Sequence, residues 1–170
     1  MDRSALLNEF KGKVDEFEKY QGYIDKTKSQ SAKFAATVVE KVIKDNTEKC
    51  NKLAEIIIPL MTDVESVIEE MSAERLAALG GRETTEFDLQ VLELRQVIGD
   101  LTDDAYLADA TSLTEAIAAI DTNVAAIDVV FNQYKDVLGR WQAVGERSGI
   151  LAAPKPVKAS KKGKSMQGLA

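Results

Sequence analysis

The sequence predicts an all-α fold, a long antiparallel helical hairpin or coiled-coil-like bundle followed by a flexible basic C-terminal tail. Three observations carry this. Apolar residues recur at alternating three- and four-residue intervals through most of the 170 residues, which aligns them in one stripe on a helix. Breakers are scarce, with 10 Gly and 3 Pro, so few points force a helix to stop. Hydrophobic residues make up 45 % of the chain, enough for a packed core and too many for a disordered chain.

The first arm, about 4–79, opens with Leu7, Phe10, Val14, Phe17 and Ile24 in one stripe, and the frame continues through Ala35, Val38 and Val42. Gln21, Lys28 and Ser31 fall on the same stripe, where a polar residue weakens a seam but helps to fix register. Asp45-Asn46-Thr47 is a candidate break. A second stripe follows: Leu53, Ile57, Leu60, Val64, Val67 and Met71. Pro59 sits inside it, and a missing donor and a ring clash predict a kink or a restart. Thr62 with Glu65 forms a capping-box pattern that favours the restart.

Gly80-Gly81-Arg82 is the strongest punctuation, and a turn is expected over 80–84. Thr84 or Thr85 then caps a second arm, about 85–148, with Phe87, Val91, Leu94, Ile98 and Leu101 on its first stripe. Residues 100–112 are rich in Asp and Thr and read as loop or helix, and Ser112 with Glu115 is another capping box by pattern. The most regular signal comes next: Leu113, Ile117, Ile120, Val124, Ile127, Phe131, Tyr134, Leu138 and Trp141, with every interval four or three. This seam suits a coiled coil or the core stripe of a compact bundle. Breaks near Asn46 and near 104–111 would instead give four or more shorter helices. The helical domain is read as 1–149. The tail, 150–170, carries Lys155, Lys158, Lys161, Lys162 and Lys164 and no acid.

The net charge of −6 is divided along the chain. Residues 1–52 hold 11 Lys/Arg against 9 Asp/Glu, and residues 53–149 hold 6 against 19. A hairpin bent at Gly80-Gly81 gathers acids at the bend and leaves a near-neutral to basic opposite end. The plain reading is a set of solvated charged helix faces; the alternative expectation is that such polarity steers neighbouring molecules into end-to-end or staggered assembly. The lysine tail reads first as a solubilising segment or one that docks on the acidic part of its own body or of a neighbour, and alternatively as a contact for an anionic surface such as nucleic acid or an acidic membrane. It lacks the Arg and aromatic residues that read bases, so no specific nucleic-acid partner is expected.

With no His and one Cys, neither a Ser-His nor a Cys-His pair can form, nor any zinc or di-iron site that needs His. Cys50 has no disulfide partner in the chain. No Gly-rich phosphate loop or twelve-residue calcium loop is present. Adjacent carboxylates such as Glu69-Glu70 and Asp103-Asp104 point in different directions on a helix and make no acid–base pair. No catalytic residue, cofactor or metal site is expected. The longest apolar run, Ile56 to Met61, is far short of the roughly 20 residues that span a bilayer, so no transmembrane segment and a cytoplasmic location are expected.

The Ala153-Pro154-Lys155-Pro156-Val157-Lys158-Ala159 segment, with the long-helix composition, resembles phasins, which coat polyester storage granules with amphipathic helices. The resemblance covers only that tail and the composition. Spectrin-like, scaffold and secretion-apparatus helical proteins are similar at the same level. The function expected first is a non-enzymatic structural or assembly protein, a rod, filament or scaffold component that self-associates into a homo-oligomer through its 53–71 and 113–141 seams. Leu6, Phe34, Val39, Ile43, Ile58, Leu92, Val97 and Val130 widen the stripes beyond what one internal interface buries. The alternatives are an amphipathic coat on a lipid or polymer-granule surface, which the resemblance implies, or an adaptor that takes another helical protein in a groove.

Overall fold

The computed structural model describes residues 2–152. They form three helices, α1 (Arg3–Ser29), α2 (Ala36–Val97) and α3 (Asp103–Arg147), with a 3-10 turn at Ser31–Lys33 between the first two. The all-α hairpin bundle expected from the periodicity is what the chain adopts, with no strand among the described residues.

Local chemistry accounts for each boundary. The Asp2 carboxylate accepts a hydrogen bond from the Ala5 N–H at 3.3 Å and caps α1. That helix stops in the polar run Ser29-Gln30-Ser31, and Phe34 and Ala35 are extended before α2 begins. At 62 residues, α2 is about 93 Å long at 1.5 Å per residue. It ends on Gly99, whose φ of +80° is open to glycine at no steric cost. The Asp100 N–H donates to the Arg95 carbonyl at 2.8 Å and the Gly99 N–H to the Gln96 carbonyl at 3.0 Å, the paired bonds of a Schellman cap. Three residues later the Thr102 hydroxyl accepts from the Ala105 N–H at 3.3 Å. Asp103 and Asp104 occupy the first turn of α3, where the helix dipole favours negative charge. The end of α3 repeats the same device, with Gly149 at φ +77° and the Ile150 N–H bonded to the Gly145 carbonyl at 2.9 Å. The Leu151 side chain folds back over Gly145, where its Cδ1 lies 2.6 Å from the place a Cβ would take.

The long central helix is the spine. α1 runs antiparallel along its first part, and α3 returns antiparallel from its far end. Arg3 at the start of α1 reaches Glu70 (3.2 Å) and Glu74 (2.7 Å) on α2, while the Cys50 thiol faces the Phe17 carbonyl. On the other side, Arg75 bonds Asp128 and Arg82 bonds Asp121, each at 2.6 Å. Arg140 of α3 bridges to Asp15 and Glu18 of α1. Where all three helices overlap, Phe10, Val14, Phe17, Ile57, Val64, Met71, Tyr134 and Trp141 are sealed from solvent. Phe17 meets Trp141 edge to face, with ring centroids 5.1 Å apart. Burial of such side chains contributes about 1.5–3 kcal/mol each and drives the packing. The helices therefore form a three-helix body and, beyond Glu74, a two-helix extension made only of α2 and α3.

Several boundaries differ from the sequence expectation. The turn at Gly80-Gly81 does not exist: both residues lie inside α2, and the two expected arms become three helices. The Arg75–Asp128 and Arg82–Asp121 bridges stand one heptad apart on either side of the glycines and hold α3 in register across them. Thr84 and Thr85 cap nothing. Their hydroxyls donate back to the carbonyls of Gly80 (3.1 Å) and Gly81 (2.9 Å) within the helix. Pro59 likewise causes no restart, and Thr62 starts no helix. An interior proline costs about 3 kcal/mol, and the sealed neighbours Ile57 and Val64 offset it. Asn46 is no break either; its side-chain amide donates to the Val42 carbonyl at 2.9 Å inside α2. Ser112 lies inside α3, which Thr102 starts instead. The break between α1 and α2 falls at Gln30–Ala35, where unbroken helix was expected. The lysine tail lies outside the described residues.

Two measurements check this architecture. A Cβ at Gly80 or Gly81 meets nothing within 4 Å, so replacing both by Ala should raise stability, by about 1 kcal/mol per site; a turn there would make the same change destabilising. Denaturant unfolding of the double variant decides between them. The second concerns pH. The Arg140 hydrogen bond holds the Asp15 carboxyl below its ordinary range, with Lys11 assisting. A lowered folded pKa gives stability that is present above about pH 4 and lost as pH falls through the folded value. Arg140→Gln should therefore destabilise at pH 7, and its gap from the parent should narrow steadily below pH 4 in denaturant midpoints. The pair is partly exposed, so the effect is modest.

Candidate functional site

The residues expected to form an oligomer seam pack within the chain. On α2, Leu53, Ile57, Val64 and Met71 are buried and Leu60 and Val67 half-buried. On α3, Tyr134 and Trp141 are buried, while Leu113, Ile117, Ile120, Val124, Ile127, Phe131 and Leu138 are half-buried. Burial along the α3 seam follows α1. Tyr134, Val137, Trp141 and Val144 lie where all three helices meet, and Leu113 to Val124 lie where only two do. A two-helix ridge cannot enclose its side chains from every side, so a regular heptad pattern produces a dry core in one half and a half-wet seam in the other.

What remains open is elsewhere. On the two-helix extension Leu76, Phe87, Leu94, Val97, Ile98 and Leu107 are 61–80 % exposed. Leu76, Phe87 and Leu94 are separated by eleven and seven residues, which places them on one face of α2. The stripe Phe87, Val91, Leu94, Ile98, Leu101 expected to pack inward is thus largely the outward one; Leu89 and Leu92 are the more covered leucines of this stretch. The difference is one of phase. Both stripes fit the three-and-four spacing, and only the position of α3 selects between them.

The second open place is the corner where α1 gives way to α2. Phe34, Val38, Val39 and Val42 line a groove of about 300 Å³ with Lys26, Thr27 and Gln30 of α1. Phe34 is 60 % and Val38 52 % exposed. The extended backbone at Phe34 and Ala35 turns the chain here, and the first turns of α2 lie at the limit of α1's reach.

Charge separates these two places. Residues 96–120, around the tip of the extension, carry five acidic residues and no Lys or Arg, whereas residues 26–52, around the corner, carry seven Lys against three acids. They stand at opposite ends of α2. Between them Arg3 marks the junction of body and extension. It bonds Glu70 and Glu74, which raises its own pKa further and holds the Glu74 carboxyl below its ordinary range. Its backbone carbonyl accepts a hydrogen bond from the Tyr134 hydroxyl. Burial pushes the Cys50 thiol above its ordinary value, away from the thiolate that reacts.

Among the described residues no three or more Cys, Asp or Glu side chains converge as a metal site would require, and no helix is long and apolar enough to cross a membrane. The corner groove was missed by periodicity because Val38 and Val42 sit in phase with the α1 stripe. The polar run Ser29-Gln30-Ser31 was the available signal that the stripe is interrupted there. Compared with protein-family models, characterised proteins and solved structures, the chain matches none.

Proposed function

We propose that this chain is a non-enzymatic structural protein that assembles with copies of itself through the open apolar faces of its helical rod. The observation that carries the reading is the group of six large apolar side chains, Leu76 to Leu107, left 61–80 % exposed on the extension that α1 does not cover. Apolar surface withdrawn from water contributes about 25 cal/mol per Å², and these side chains have no partner within the described residues. Several large apolar side chains exposed along one extension mark an interaction surface more than an ordinary solvated helix does. The absence of His from the whole sequence removes the commonest general base and adds weight to a role in assembly.

Light scattering on the intact chain over a range of concentrations tests this. The expected result is a mass that rises above the 18.6 kDa of one chain. A double variant Phe87→Ser, Leu94→Ser, at two positions outside the core, should keep its helical content. It should need about tenfold more protein to reach the same mass, which is the equivalent of about 1.4 kcal/mol of lost burial. A chain that stays at 18.6 kDa at every concentration overturns the reading.

A further inference from the structure

The structure assigns the partner of the corner groove: it is the tip of the extension of a second copy, joined head to tail. This inference rests on self-association as proposed above and specifies its geometry. The groove is apolar at its floor, with Phe34, Val38 and Val42 exposed. It sits in the one region of the described chain where lysines outnumber acids clearly, seven to three over residues 26–52. The tip offers the matching chemistry. Leu94, Val97, Ile98 and Leu107 are exposed, and Asp100, Asp103, Asp104 and Asp109 surround them with no Lys or Arg from 96 to 120.

Each surface is therefore an apolar patch in a region of predominantly one charge, positive at the corner, where Lys41 and Lys44 pair with Asp45 and Glu48, and negative at the tip, where Arg95 pairs with Asp100 and leaves the other aspartates in excess. Like copies of either surface repel: tip against tip brings acids together, and corner against corner brings lysines together. Opposite charge juxtaposed favours tip against corner and steers the encounter, while the apolar side chains supply the desolvated contact. Intramolecular closure is ruled out by length. Val38 and Val97 are both in α2, 59 residues apart, which is roughly 90 Å along a single helix. The contact is heterologous, the same two unlike patches in every junction, and such contacts propagate into open chains unless a rotation closes them.

The test uses the full chain with Val38→Cys in one preparation and Val97→Cys in another, and a short bis-maleimide cross-linker. Cys50 is 3 % exposed, so the parent chain is the unreactive control. Light scattering is run on the same samples. The expected result is a cross-linked dimer in the mixture that neither variant forms alone. It should be lost between about 0.01 M and 1 M salt, as the screening length falls from about 30 Å to 3 Å. Association by light scattering without the 38–97 cross-link, or a dimer formed as readily by Val97→Cys alone, overturns the head-to-tail geometry and leaves self-association standing. A cross-link that survives high salt overturns the role of charge as the selector. A chain that is monomeric at low salt overturns both this inference and the reading it rests on.

Discussion

The mismatch in helix length governs this molecule. α1 has 27 residues and α2 has 62, so the short helix can cover less than half of the long one. A helix carrying a wide apolar face needs neighbours on more than one side to bury it. Where α1 is present, α2 and α3 have that third neighbour, and residues such as Phe10, Ile57 and Trp141 reach zero exposure. Past Arg3 they have only each other. The same heptad chemistry then yields half-covered side chains, and the molecule becomes a dry body with an exposed apolar extension.

The point where α1 starts is correspondingly well held. Asp2 caps the helix, Arg3 spans to two glutamates of α2, and the Arg3 carbonyl receives the Tyr134 hydroxyl of α3. All three helices are tied at one residue. Surface ion pairs each contribute little, but the buried Tyr134 ring beneath them makes this a defined junction rather than a frayed helix end. At the middle of α1, the Arg140 bridge to Asp15 and Glu18 and the Phe17–Trp141 contact keep α1 parallel to α3. The short helix is thereby locked to the body and cannot slide along α2 to cover the extension.

The helix ends show why punctuation was only partly legible. Gly99 and Gly149 are followed by residues that complete a cap, with Leu101 and Thr102 after the first and Ile150 and Leu151 after the second. Gly80 and Gly81 are followed by Arg82, which is more useful inside the helix, bonded to Asp121 of α3. A glycine pair is locally a stronger turn signal than a single glycine. The hydrogen-bonding partners available on either side decide which glycine becomes the stop. Pro59 follows the same logic, since a local penalty near 3 kcal/mol is smaller than the burial gained on both sides of it.

The sequence by itself determined that the domain ahead of the lysine tail is all-α, because a three-and-four apolar period with few breakers is satisfied only by helices. It also determined the core anchors Phe10, Val14, Phe17, Ile57, Val64, Met71, Tyr134 and Trp141, since each lies on a stripe whose phase is unambiguous. The division of charge between the first third and the rest is equally a property of the sequence. Tertiary structure decided the number of helices, the place of each reversal, and which of two apolar faces on residues 87–98 turns outward. The physical reason is that periodicity specifies a face relative to its own helix axis, whereas exposure depends on how far a neighbouring helix extends. The body, the extension and the corner groove exist because α1 ends at Ser29 and begins at Arg3, and no pattern within α2 or α3 encodes that length.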